Sequence, residues 1–432
     1  MSDHKILQGT LFAFAGILFA FSSCKKTDES ASVNRQEWMR VLEDTIFSST
    51  DDELFQGQNG KVLSDSSDNL YLYYYQVRTN QSVVMKCDSK GNPLWRKYFP
   101  ACVPMDMIFA GDDIVLAVRQ SPLRPKGVVF YVIHPDESTE YKTIMVSSDL
   151  ILGVNNANMA VLLDNSILLS GSYNWQQFVN GPKFTSGYII RLNTAYSPDW
   201  TCVLQDQPAM GLNNVVWGQN SIIPLKTNQF MFEFAITRDP EQSDSLLYGL
   251  MTGLINPNGT LGPLHYVPTG SQVRSTGAGG GYANRYCNGL IRNTSGAIYH
   301  YSDPDIIHPP GPLKPNGFLV LDDNGVETDT IEMSLPSGYR MLSCTRNGDA
   351  FLVSSYKSGL ASGTNDYSAN QTLFLYGQSW VTSASFTLQG FYADFFPSSA
   401  PVSDGGFVMM GKIQSFNSAA NKLVLVKWKM NN

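Results

Sequence analysis

Val402-Ser-Asp-Gly-Gly-Phe-Val-Met-Met-Gly-Lys412 is the stretch from which the rest of the chain is read. A polar, glycine-bearing turn leads straight into an apolar run of single-strand length. The same station recurs as SDSSDNLYLYY (64–74), AGDDIVLAV (110–118), LDNSILLSGS (163–172), KTNQFMFEF (226–234), RNTSGAIYHY (292–301) and TRNGDAFLVSS (345–355), seven in all. Successive stations lie about 45 to 65 residues apart, slightly longer than a minimal four-stranded blade.

Working outward, each station is followed by another strand: SVVMKCD (82–88), GVVFYVIHP (127–135), GYIIRLN (187–193), LLYGLMTGLIN (246–256), GFLVLDD (317–323), TLFLYGQ (372–378) and KLVLVKWKM (422–430). Asp88–Gly91, Asn256–Gly259 and Asp322–Gly325 carry hairpin-turn chemistry, with Gly or Asn where φ is positive. Further strands come next, among them LWRKYFP (94–100), DWTCVLQ (199–205) and TDTIEMSL (328–335). The seventh unit stops after its third strand. Its missing fourth strand has a candidate at the other end of the chain, Glu37–Phe47, whose Trp38 matches Trp95 and Trp200 of other fourth strands. A strand so placed closes a ring and removes exposed sheet edges. The expected fold is all-β: a seven-bladed β-propeller over 37–432, closed by an N-terminal strand, with six or eight blades as the neighbouring counts. Two stacked β-domains divided near the glycine-rich segment 276–281 are the competing architecture.

Asp404-Gly-Gly-Phe-Val-Met-Met-Gly411, together with Asp88-Ser-Lys-Gly91 and Trp95, resembles the propeller repeats of Bacteroidota envelope proteins. That resemblance implies a fold and no activity. The N-terminus supports the same address. Leu11–Phe21 has the length of a signal-peptide apolar region and is too short to span a bilayer comfortably. Phe21-Ser22-Ser23-Cys24 then resembles the lipobox of bacterial lipoproteins, with Phe21 where Leu is usual. The resemblance implies a signal peptide over 1–23, acylation of Cys24, a flexible polar tether over 24–36, and anchorage in the cell envelope, at the outer membrane of a Gram-negative bacterium. A plain secretory signal or an uncleaved anchor helix is the alternative.

The chain has 432 residues, 43% hydrophobic and 16% charged, with a net charge of −7. That balance excludes disorder of the bulk, and no basic stripe for nucleic acid is present. There is no G-x-S-x-G elbow, no H-E-x-x-H and no phosphate loop. His134, His265, His300 and His308 do not lie near one another at ligand spacing, and no catalytic residue, metal or cofactor is assigned. Cys87, Cys102, Cys202, Cys287 and Cys344 do not form a disulfide framework. Cys287 and Cys344 fall in equivalent strands and are the pair to check.

Ligand-binding residues are expected on the long connections Tyr173–Ser186, Ser302–Asn316, Lys357–Gln371 and Thr269–Asn284, all at one end of the blades. The candidates are Tyr173, Trp175 and Phe178 on the first, Tyr282 and Arg285 after a glycine run, and His308 on a proline-stiffened loop beside Asp303 and Asp305. Aromatics there suit sugar rings or apolar partners. The competing reading folds them onto the loop's own base. The expected function is a lipid-anchored binding protein that takes glycan or peptide on this face. The alternatives are an enzyme acting on polysaccharide, or a scaffold in an envelope complex.

Overall fold

Leu70-Tyr-Leu-Tyr-Tyr-Tyr-Gln76 is buried at every position but its last. A run without alternation is what a strand covered on both faces requires, so its sheet must lie between two others. The computed structural model describes residues 35–47, 60–76, 79–120, 127–146, 150–176, 183–205, 215–225, 228–238, 245–273, 289–292, 298–301, 317–324, 326–332, 339–347, 350–357, 371–376, 380–386, 391–415 and 421–429. The expected signal peptide, Cys24 and nearly all of the tether lie outside them.

The first strand is β1 (Arg35–Phe47). Sheet one then contains β2 (Gly60–Ser64), β3 (Leu70–Gln76), β4 (Gln81–Cys87) and β5 (Pro93–Pro100). Sheet two contains β6 (Cys102–Ala110), β7 (Asp113–Gln120), β8 (Gly127–Ile133) and β9 (Thr139–Met145). Sheet three is built of β10 (Leu150–Val161), β11 (Ile167–Gln176), β12 (Lys183–Leu192) and β13 (Pro198–Leu204), and sheet four of β14 (Val215–Pro224), β15 (Phe230–Arg238), β16 (Ser245–Ile255) and β17 (Leu261–Val273). Sheet five holds β18 (Gly289–Arg292), β19 (Ile298–Tyr301), β20 (Gly317–Leu321) and β21 (Glu327–Glu332). Sheet six holds β22 (Tyr339–Asn347), β23 (Ala350–Lys357), β24 (Gln371–Tyr376) and β25 (Trp380–Phe386). In sheet seven, β26 (Phe391–Pro401), β27 (Phe407–Ser415) and β28 (Asn421–Lys429) are completed by β1, which pairs antiparallel with β28. The described residues thus form an all-β, propeller-like fold of seven four-stranded antiparallel sheets. The strand expected at 37–47 takes the fourth place in the last sheet.

Burial is greatest in the middle strands and falls at the outermost one. In sheet one β4 is largely buried, whereas β5 reads exposed or half-buried at all but Phe99. Apolar clusters fill the gaps between sheets. One joins Val62, Leu72 and Met85 of sheet one to Val408, Met410 and Leu425 of sheet seven. Another joins Val115 and Phe130 of sheet two to Val154, Leu169 and Tyr188 of sheet three. Each such side chain contributes about 1.5–3 kcal/mol by leaving water.

The short hairpins share one geometry. In Asp88–Asn92 the Asp88 N–H donates to Asn92 O at 2.9 Å and Gly91 N–H to Asp88 O at 2.9 Å, with Gly91 at φ +78. Asn256–Thr260 repeats this with Gly259 at φ +85. Both glycines are also crowded: a Cβ on Gly91 would lie 2.9 Å from Arg40 Cγ, and one on Gly259 2.8 Å from Trp200 Cδ2. Elsewhere the same left-handed position holds Asp68, Glu137, Asn165, Tyr196 or Asn228. Tyr196 is a bulky exception, held by donating its hydroxyl to Asp113 of sheet two at 2.6 Å.

The junctions repeat as well. Arg40 Nε donates to Lys90 O at 3.1 Å, Lys142 Nζ to Ala195 O at 2.9 Å and Trp200 Nε1 to Pro257 O at 2.8 Å, and Lys97 Nζ donates to Glu137 O. In each case a fourth strand reaches the outer turn of the next sheet. The Arg40 contact runs from sheet seven to sheet one, so the last sheet meets the first as internal neighbours meet.

Candidate functional site

An inner strand in such a stack must curve, and β-bulges supply the curvature. One extra residue interrupts the pairing between Pro104 and Asp106, Val154 and Asn156, Trp217 and Asn220, Met341 and Ser343, and Phe395 and Ser398. The residue that re-enters register is polar each time. Four of these side chains, Asp106, Asn156, Asn220 and Ser398, are buried. Their partners include residues of neighbouring inner strands. Asp106 Oδ1 accepts from Lys61 Nζ of β2 at 2.7 Å and from Met107 N–H at 2.8 Å, and its Oδ2 accepts from Met159 N–H of β10 at 2.7 Å. Ser398 Oγ accepts from Val62 N–H at 3.0 Å. Leu290 N–H donates to Ser221 Oγ at 3.1 Å, and Ser399 Oγ to Thr345 Oγ1 at 2.6 Å.

Between sheets three and four these contacts widen into a seam. Asn158 Nδ2 donates to Asn220 O at 2.6 Å and also to Asn220 Oδ1. Ser170 Oγ donates to Asn220 Oδ1 at 3.2 Å, and Asn220 Nδ2 to Asn156 Oδ1 at 3.4 Å. Asn156 Oδ1 also accepts from Ser172 N–H at 2.8 Å. From there the network runs to the end of the sheet where β11 turns toward β12. Asn155, the bulged residue, donates to Asn174 Oδ1 at 3.2 Å and to Ser172 Oγ at 3.5 Å. Asn174 returns a bond to Asn155 Oδ1 at 2.9 Å, and Thr185 Oγ1 donates to Asn174 Oδ1 at 3.0 Å. Asn155, Asn174 and Thr185 are half-buried, whereas Asn156, Ser170, Ser172 and Asn220 are buried. Every described side chain in the network is an uncharged amide or hydroxyl.

Beside the seam, Trp217 is buried on the apolar side of the same junction, and its indole N–H has no hydrogen-bond partner among the described residues. On the opposite face of β11, a Cβ on Gly171 would lie 2.2 Å from Asn156 O and 2.3 Å from Tyr188 Oη. The Tyr188 hydroxyl donates to that same Asn156 O at 2.9 Å, and full burial holds its pKa far above the ordinary range. The bulge is thus clamped from the core side.

Two expectations about this region are corrected. Tyr173 is not on a loop. It lies in β11, 0% exposed, with its ring 6.2 Å from Tyr188, because β11 and β12 stay paired as far as Gln176 and Lys183. The connection expected over Tyr173–Ser186 is therefore strand at both ends. Likewise Thr269–Val273, expected in a loop, continues β17. Trp175 is also within β11, its backbone in register with Ile151 and Phe184. Phe178, Tyr282, Arg285, His308, and the segments 302–316 and 358–370 lie outside the described residues. None of these candidates is brought together with another in the described structure. Asn155, Asn156, Asn174, Thr185 and Asn220 were not singled out by sequence. Their signal was a polar residue recurring in otherwise apolar inner strands, as in CVPMDMIFA and VVWGQNSIIP.

At the opposite end, His134 Nδ1 lies 2.8 Å from Asp113 Oδ1, next to the Tyr196 bond already described. Burial, then Asp113, push the Tyr196 hydroxyl far above its ordinary pKa. Among the described residues no group of three or more His, Cys, Asp or Glu forms a metal site. Cys87, Cys102 and Cys202 are free thiols, and burial pushes Cys87 up to about 12. Cys344 lies in β22, and Cys287 is outside the described residues. No helix among the described residues is long and apolar enough to cross a membrane.

No protein-family model matches the chain, and no curated protein does. Solved structures do. Puromycin hydrolase is 8% identical with a TM-score of 0.48, over 89% of this chain and 55% of that one. The chain therefore spans about half of that protein's length. A Penicillium chrysogenum alpha-L-arabinanase complexed with arabinobiose is 10% identical with a TM-score of 0.43, over 91% of this chain and 97% of that one. A Dyadobacter fermentans protein of unknown function is 10% identical with a TM-score of 0.43, over 92% and 99%. At these values the chain is similar to them in broad outline, and what it does must be argued from its own residues.

Proposed function

We propose that the seven sheets close into a seven-bladed β-propeller, and that this ring is a lipid-anchored envelope protein that binds its ligand at the end where second and third strands connect. Closure is supported by the contacts between sheets seven and one, which use the same two devices as internal junctions: an inner-strand hydrogen bond (Ser398 with Val62) and an outer-turn clasp (Arg40 with Lys90). Anchorage rests on the sequence around Cys24. The reading as a binding protein takes its support from Asp106. Asp106, the one acidic side chain described on the inner strands, spends both oxygens on Lys61, Met107 and Met159. A general acid or base needs a carboxyl free to meet substrate. This one is a tie between three strands. In this reading the glycan or peptide ligand is held, and the alternative of a polysaccharide-acting enzyme requires a carboxylate pair elsewhere.

Two experiments test this. The full chain expressed in a Gram-negative host with labelled palmitate should take up label, and Cys24→Ser should not; equal labelling refutes the anchor. The soluble form beginning at Lys25 should bind a glycan or peptide without releasing reducing ends or new amino termini; steady turnover refutes the non-catalytic reading.

A further inference from the structure

The seam between sheets three and four identifies the class of ligand. We propose that its open end, Asn155, Asn174 and Thr185, is a subsite for a neutral glycan; this rests on the binding-protein reading above. Three neighbouring strands present an amide, an amide and a hydroxyl in one row, since Asn174 is in register with Thr185 and Asn155 is the bulged residue of the adjoining strand. An amide offers donor and acceptor together, which is what a sugar hydroxyl, itself donor and acceptor, requires. After their mutual bonds, Asn174 keeps a second N–H, and the Asn155 and Thr185 oxygens keep lone pairs.

Charge selects further. None of the eight described side chains in the network carries a charge, so these side chains themselves offer no ion pair to a phosphate, sulfate or uronate. A peptide adding as a strand needs an open sheet edge. β11 and β12 have none, being paired on both sides, by β10 and by β13. The buried part of the seam fixes the rest. Asn156 and Ser172 hold the bulge, Tyr188 and Gly171 clamp it from behind, and Asn155 is thereby positioned before ligand arrives. A polar group ordered in advance costs less on binding. Trp175, the next residue along β11, is placed by register at the same end as the row.

The test is a glycan array followed by titration calorimetry on the Lys25–Asn432 form and two variants, Asn174→Ala and Thr185→Val. Each retains the fold if its urea midpoint matches the parent, and the near-isosteric Thr185→Val serves where the alanine variant does not. The expected result is binding of uncharged oligosaccharides. Affinity should fall about 10-fold or more in Asn174→Ala and about 5-fold in Thr185→Val, as for one lost hydrogen bond of about 1–1.5 kcal/mol. Glycan affinity unchanged in both variants overturns the subsite and leaves the binding-protein reading standing. Binding confined to sulfated or uronic glycans overturns the neutral class. Binding of peptides and no glycan overturns the inference alone, and binding of neither ligand class overturns the parent reading with it.

Discussion

Asp106→Ala is the substitution whose cost follows most directly from the structure. The carboxylate is 5% exposed and accepts from Lys61, Met107 N–H and Met159 N–H. Removing it leaves two backbone N–H groups inside the stack without an acceptor, at about 1–3 kcal/mol each. Lys61 loses its partner too, but its side chain is 33% exposed and water takes over, so that loss counts for about 0–1 kcal/mol. The sum is about 2–7 kcal/mol, concentrated at the junctions between sheets one, two and three. With a urea slope of a few kcal/mol per molar, the unfolding midpoint should fall by about 1 M or more. Asp106→Asn retains one oxygen and should lose about half as much, because its amide then faces the Met159 N–H. Lys61→Met should move the midpoint by less than about 0.3 M, since it removes only the exposed partner. If Lys61→Met costs as much as Asp106→Ala, the energy lies in the ion pair and the account of the backbone tie is wrong.

Three further outcomes are expected. A chain beginning at Lys25 should fold as a monomer, whereas one beginning at Ser48 lacks β1, leaves the β28 edge open and should aggregate or dimerise on size-exclusion chromatography; an unchanged elution and midpoint would contradict ring closure. Stability should fall steeply as pH drops below about 4. Burial pushes the Asp404 carboxyl up, but the Lys427 ammonium and the Gly406 N–H outweigh it, and Asp164 is held down by the Ser166 hydroxyl and N–H. A carboxyl whose folded pKa is depressed contributes stability above its unfolded value and loses it as pH falls through the folded one. Asp404→Asn should therefore flatten the decline between pH 5 and pH 2.5, and a parallel decline would count against this origin. Cys87 and Cys102, both pushed up by burial, should resist an aromatic disulfide reagent at pH 8 in the native chain and react on unfolding, as read by peptide mass mapping; rapid native labelling would show that these strands open.

Much of the architecture is legible in the chain because second and third strands are covered on both faces. LYLYYY, GVVFYVI and LVLV had to be unbroken apolar runs, and such runs at regular spacing announce stacked sheets. The role of Glu37–Phe47 follows from counting, since seven units with one strand short leave a vacancy of one. The site was far less legible. Asn174 and Gln176 made 173–186 look like a loop, because polar residues at a strand's end mimic a connection. Only the pairing of β11 with β12 shows that the strand continues and that Tyr173 turns inward. The bulges at Met105 and Asn155 are hidden for a related reason. A bulge is a mismatch between two strands, so neither strand alone contains it. Asp106, Asn156 and Asn220 then read as interruptions of a pattern, when each in fact marks where the pattern resumes.

The place of β1 in the last sheet has a consequence for how the protein is made. Residues 35–47 pair with 421–429, across nearly the whole of the described chain. During synthesis β1 has no partner until 421–429 follow, and the intervening sheets can form one after another meanwhile. Pairing across so long a stretch of chain is slow, and an unpaired strand edge in the meantime invites association between copies. The interval of exposure of β1 therefore lasts from the moment Trp38 is made until Trp428 follows.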